Sequence, residues 1–93
     1  MTPASREDVT QAARWYESQK PGLGREFIAQ VRETFASVTS HPLSFPEAHR
    51  QMRRAQLHRF PYGVFFASES ESKIVVLAVI DLRRNPRTWK SRA

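Results

Sequence analysis

Cysteine is absent from the 93 residues, which excludes disulfides, a thiolate zinc site and a thiol nucleophile together. Glycine is nearly as scarce, with three residues. Gly22 and Gly24 precede a helical pattern but lack the lysine and the preceding strand of a phosphate-cradling loop. The longest apolar run, Ile74 to Ile80, is far too short to span a bilayer. Met1 is not followed by a basic segment and an apolar stretch of the kind that directs export, so a cytoplasmic protein with no membrane role is expected. The three histidines, His41, His49 and His58, have no carboxylates at ligand spacing; neither a metal nor a cofactor is expected.

What is present suits a folded chain. Apolar residues make up 40% and charged residues 26%, well above the hydrophobicity of disordered sequences, and the length allows one domain over residues 1–93. The formal net charge is +6, and it is unevenly placed. Residues 1–48 hold five basic and six acidic side chains, whereas residues 49–93 hold ten basic and three acidic ones. Twelve of the fifteen cations are arginines, the side chain whose planar fork matches phosphate and carboxylate. The asymmetry points to an anionic partner.

Ser5 with Asp8 has the spacing of a helix cap followed by an acidic residue in the first turn, so a helix is expected from about Arg6. Val9, Ala12, Ala13 and Tyr16 form its apolar stripe, with Trp15 beside it. Lys20-Pro21-Gly22-Leu23-Gly24 ends the helix and reverses the chain. From about Arg25, Phe27, Ile28, Val31, Phe35 and Val38 mark a second helix that His41-Pro42 stops. Trp15, Tyr16, Phe27 and Phe35 are expected in the core.

Beyond a connector from Pro42 to Pro46 the pattern becomes β-branched and aromatic. Antiparallel strands are expected over Met52–Phe60, Tyr62–Ser68 and Lys73–Leu82, the last two joined by Glu69-Ser70-Glu71-Ser72. Ile74 to Ile80 is apolar at every position, which suggests a central strand. Pro86 keeps the basic tail from Arg83 to Lys90 out of the sheet, and the tail is expected along the sheet's open face. The fold class is α+β: a two-helix antiparallel hairpin packed on a three- or four-stranded antiparallel sheet.

Four fragments in this order carry a resemblance. They are Trp15-Tyr16-Glu17 with Gln19 before Pro21-Gly22-Leu23-Gly24; Phe27; Arg53-Arg54-Ala55 with Arg59-Phe60-Pro61-Tyr62; and Arg83-Arg84-Asn85-Pro86 with Trp89. Together they resemble the RelE/ParE family of toxins from type II toxin–antitoxin systems, and they cover nearly the whole chain. The resemblance implies a growth-inhibiting, plasmid-stabilising type of toxin, neutralised by a cognate acidic antitoxin with which it assembles. Its target is either DNA gyrase, as for ParE, or messenger RNA on the ribosome, as for the RelE-type endoribonucleases; an inactive antitoxin-binding module is a third reading.

Two departures bear on that choice. Family members open with a strand before the first helix, whereas Met1-Thr2-Pro3 leaves a stub, so one sheet edge is expected to lack protection. In the RelE type a tyrosine near the carboxyl end and an arginine after the strand-opening tyrosine belong to the nuclease set; here Trp89 and Gly63 stand there. RNA cleavage needs a general base, a general acid and fixed cations. The residues available for it are Arg53, Arg59, Arg83 and His58, the last more readily read as a surface residue; His41 reads as a helix end and His49 as loop. The gyrase-binding reading, with no catalysis, therefore leads. Arg53, Arg54, Arg59, Arg83, Arg84, Arg87, Trp89 and Lys90 are the candidate target-binding residues, expected to gather on a single cationic face.

Overall fold

A computed structural model of the chain describes residues 1–70 and 72–93. Its elements are α1 (Pro3–Gln19), α2 (Leu23–Ser40), a 3-10 turn (Pro42–Ser44), β1 (Glu47–His49), β2 (Met52–Gln56), β3 (Tyr62–Ser70), β4 (Lys73–Asp81) and α3 (Arg87–Lys90). Helix α1 starts earlier than the Ser5 signal suggests. Thr2 Oγ1 accepts from the Ser5 amide at 3.1 Å and Pro3 takes the first turn, where a missing N–H leaves nothing unsatisfied. Ser5 is instead buried and donates its hydroxyl to the Val76 carbonyl at 3.0 Å.

The helical hairpin turns where expected. Gly22 adopts φ +90, a conformation open to glycine at little cost. Glu17, in the last turn of α1, accepts from the Gly22 and Gly24 amides at 2.9 and 3.0 Å, so one carboxylate caps the start of α2 and complements its dipole. At Gly24 a Cβ would lie 2.5 Å from the Ala13 carbonyl oxygen; the two helices cross there at backbone distance.

The sheet is an antiparallel meander in the order β1-β2-β3-β4. The strand β1 is a fourth one and includes His49, a strand residue here and not the loop residue that the sequence pattern suggests. Strand β2 stops at Gln56, four residues short of expectation: the Leu57 amide still donates to the Tyr62 carbonyl in register with β3, but the Arg59 amide leaves the sheet for Gln30 Oε1 of α2. The β3–β4 connection includes Glu71, which lies outside the described residues.

Strand β4 lies at the sheet's edge, not its centre. Its continuous apolar character has a different cause: both faces of the sheet are covered. On one face α1 and α2 bury Tyr16, Phe27, Phe60, Val64, Phe66 and Val76, with Phe27 5.1 Å from Phe60 and 5.0 Å from Tyr62 between ring centroids. On the other, Trp89 of α3 stacks on Phe65 at 4.5 Å and closes a second core with Met52, Ala78 and Ile80. The basic tail thus does lie along that face, as a short helix.

The edge of β4 is also protected. The Thr2 amide donates to the Val76 carbonyl at 3.1 Å. A bulge at Phe65/Phe66 leaves Leu77 outside the ladder, and its carbonyl accepts from Arg92 Nη1 at 3.0 Å. The Val79 amide donates to Asp8 Oδ2 at 3.0 Å. Groups from both ends of the chain therefore do at this edge what a neighbouring strand would do.

Candidate functional site

The expected cationic face does not assemble. Side chains of successive strand residues point to opposite faces, so adjacent Arg53 and Arg54 cannot share one. Arg53 pairs with Phe66 and Arg54 with Phe65, which belong to the helix-side and tail-side cores respectively. Arg53 Nη1 donates to the Phe45 carbonyl at 2.7 Å. Arg59 sits in the β2–β3 loop on the helix side, 3.7 Å from Glu26, with exposed His58 beside it. Arg54 shares the tail side of the sheet with α3, whose Arg87 and Lys90 are exposed.

Gly63 explains one departure from the expected nuclease set. It is buried, and a Cβ there would lie 2.8 Å from Leu82 Cδ2 and 3.2 Å from Arg54 Cγ. The space that a larger residue after Tyr62 would occupy is already filled. Trp89, the other departure and a candidate contact residue, is only 7% exposed, its ring given to the stack on Phe65.

Arg83 and Arg84 remain, at the end of β4. Here the chain builds a concave surface between α1 and the strand ends, in two adjoining parts of about 140 and 210 Å³. Its walls are Asp8, Trp15, Tyr62, Asp81, Arg83 and Arg84. Asp81 is the fixed point: it accepts from Arg83 Nε at 2.9 Å, from Nη2 at 2.6 Å and from the Arg83 amide at 2.9 Å. These hydrogen bonds from Arg83 hold the Asp81 carboxyl below its ordinary pKa, against the opposing effect of burial, and Asp81 in turn raises that of Arg83. Burial raises the Tyr16 and Tyr62 phenols, with Asp81 adding to it at both.

Trp15 was expected in the core and is instead 55% exposed. It stands one position off the buried stripe of Ala12, Ala13 and Tyr16, about 100° around the helix from Tyr16, and its ring meets the edge of Tyr16 at 5.0 Å. Tyr16 and Phe27 are buried as expected and Phe35 is half-buried. The stripe itself carried the signal for Trp15. The cap spacing marks Asp8 only as an acid near the start of α1; its bond to the Val79 amide spans 71 residues, whereas Asp81 binds Arg83 two residues on.

Among the described residues no group of three or more His, Cys, Asp or Glu side chains could hold a metal, and no helix is long and apolar enough to cross a membrane. The sequence model of a family described as "ParE toxin of type II toxin-antitoxin system, parDE" matches residues 1–86. No curated protein and no solved structure matches the chain.

Proposed function

Because the chain belongs to the ParE toxin family of type II toxin–antitoxin systems, we propose that it inhibits growth by binding DNA gyrase, without catalysis of its own, and that an acidic antitoxin neutralises it. The cationic second half of the sequence supports an anionic surface on both partners. Arg83 and Arg84, exposed at the rim of the α1–β4 cleft, are the residues assigned to target contact. Arg54, Arg87 and Lys90 form a second positive area on the tail side of the sheet.

One observation carries the non-catalytic reading: Gly63 and Trp89, which stand where the RelE type has an arginine and a tyrosine, are both buried; the pKa shifts at the cleft agree with it, each moving away from neutrality. A general base or acid works best with a pKa near the working pH. Here Tyr16 and Tyr62 are raised, Asp81 is lowered, and Arg83 is raised within the fork it makes to Asp81. The two phenols are held neutral and the Asp81–Arg83 pair is held charged, a fixed set of charges that suits recognition of a macromolecular surface.

The experiment is to induce the chain without its antitoxin and to follow plasmid supercoiling alongside transcript ends. Loss of negative supercoiling with intact transcripts is the expected result. Cleaved messages on the ribosome with normal supercoiling would replace this reading with the endoribonuclease one, and unimpaired growth would replace it with the inactive antitoxin-binding module.

A further inference from the structure

Gly63 leaves room for Arg54. The glycine pairs with Ile80 of the second core, so a side chain there would stand on the tail side of the sheet, and Arg54 Cγ lies 3.2 Å from where its Cβ would be. Arg54 is half-buried: its stem lies on the sheet, and its charged head is left to the solvent. On the same side Trp89 stacks on Phe65, the cross-strand partner of Arg54. With that ring turned inward, Arg87 and Lys90 of α3 are exposed; they are three residues apart and so neighbours on the helix surface. Lys90 Nζ stands 5.8 Å from the Trp89 ring centroid.

These three cations have no acidic side chain beside them. None makes an ion pair among the described residues. Asp81 and Glu47 face the helix side, opposite Tyr62 and Arg53. Asp8 is held at the β4 edge by Arg92, and Glu69 pairs with Lys73 at the far end of the β3–β4 hairpin. The other acidic residues described belong to α1 and α2, across the sheet. Like charges gathered without a counter-charge repel one another and work against the compact state, a cost that a polyanion bound to them would offset.

The rest of this face selects the ligand. Protein interfaces draw their energy from aromatic and large apolar anchors. Here Phe65, Ile80 and Trp89 are enclosed in the second core, and the exposed large apolar residues, Met1, Trp15 and Leu43, lie elsewhere in the chain. Single strands need exposed rings on which bases stack, which the same burial denies. A small phosphate compound needs an enclosed site, and the hollows at Trp15, Arg50 and Arg6 are not lined by Arg54, Arg87 or Lys90. What fits is a polymer of regularly spaced phosphates with its bases turned inward. We infer that the tail side of the sheet binds the backbone of a nucleic acid duplex, independent of sequence, with Arg54, Arg87 and Lys90 each meeting a phosphate. This contact does not depend on which macromolecule the chain inhibits.

The test titrates the purified chain into a short fluorescein-labelled duplex of arbitrary sequence, made once as DNA and once as RNA, and follows anisotropy over a series of salt concentrations. Three phosphate contacts predict that log K for association falls against log salt with a slope of about −2.7 on DNA. Arg87→Gln with Lys90→Gln should reduce that slope by about 2 and weaken binding about tenfold at low salt. Arg6→Gln with Arg32→Gln removes the same charge from the outer groove of α1 and α2 and should leave the slope as it is. All four side chains are exposed, so circular dichroism should match wild type. Binding to either duplex with these dependences supports the site, and the tighter duplex names the polymer. Equal weakening by the two pairs of substitutions would mean that net charge alone attracts the duplex, and the inference falls. It falls as well if neither duplex binds at low salt, or if the matching single strand binds more tightly than the duplex; supercoiling in induced cells tests the gyrase reading separately.

Discussion

Asp8, in the first turns of α1, and Arg92, near the carboxyl end, form a two-pronged ion pair, with Nη1–Oδ2 at 2.9 Å and Nη2–Oδ1 at 3.1 Å. The pair is more than a contact between chain ends. Asp8 Oδ2 also accepts from the Val79 amide and Arg92 Nη1 also donates to the Leu77 carbonyl, so both side chains close the outer edge of β4. The side chains are 15% and 27% exposed, which shields the pair from water and salt more than most surface pairs.

Asp8→Ala should therefore lower the unfolding free energy by about 2 kcal/mol, because it leaves the Val79 amide without its acceptor and Arg92 without its counter-charge. Arg92→Ala should cost about half as much, since Asp8 keeps its bond to Val79. The double variant should be no worse than the sum of the two, and in urea titrations the cycle should return a positive coupling between the residues. Fully additive losses would mean that each side chain acts alone at the edge.

The two tryptophans should separate cleanly. Trp89→Ala removes the ring stacked on Phe65 at 4.5 Å and opens the second core, at a cost of about 3–5 kcal/mol. That is a large share of what a domain of this size has. Trp15→Ala should change stability by less than about 1 kcal/mol, as expected for an exposed position. Thermal melts of the two variants decide the matter, and equal losses would contradict the division between a packing ring and a surface ring.

Acid should weaken the end of β4 in a defined window. The folded Asp81 pKa is lowered from 3.8, first by its hydrogen bonds from Arg83. A depressed carboxyl contributes stability that is fully present above its unfolded value and is lost as the pH falls through the folded value. Between pH 7 and about 4 this contribution should be constant, and below that it should drain away. Urea midpoints for wild type and Asp81→Asn should run parallel above pH 4 and converge as the pH falls further; parallel curves throughout would remove Asp81 as a source of the acid sensitivity.

Replacing Arg83 and Arg84 together by alanine should abolish growth inhibition in cells induced for this chain without its antitoxin. Both side chains are exposed, so the variant should keep its circular dichroism and its yield. A toxin that still stops growth with both arginines gone would move the target-binding surface elsewhere, with Arg54, Arg87 and Lys90 on the tail side of the sheet as the next group to replace.

Much of the fold was legible because its signals are local. The helical stripes, the Lys20–Gly24 reversal and the hairpin strands follow from residues within one or two turns of each other, and the observed elements match them within a few residues at most ends. The exceptions have long-range causes. Strand β2 is shortened by Gln30 of α2 capturing the Arg59 amide, and β4 passes for a central strand because Trp89 covers the face that the helices leave open.

The candidate site was less legible. A count of arginines shows where positive charge is concentrated along the chain, but not how it is distributed in space; strand alternation alone separates Arg53 from Arg54. The same rule of alternation could have been applied to the sequence, as could the helical angle that turns Trp15 away from the stripe. The turn by which Asp81 anchors Arg83 spans only two residues and is local, but no local rule marks Asp8 as the acceptor for an amide 71 residues away.

Sequence by itself determined the class of the fold, the family and the excess of cations, since periodicity, turn residues and charge are properties of neighbours along the chain. Tertiary structure alone decided which cations stand together, which tryptophan is buried and how the last strand's edge is closed. Each of those depends on groups brought together across many intervening residues, where exclusion of water and the need to satisfy every buried N–H and C=O, rather than any local preference, select the partner.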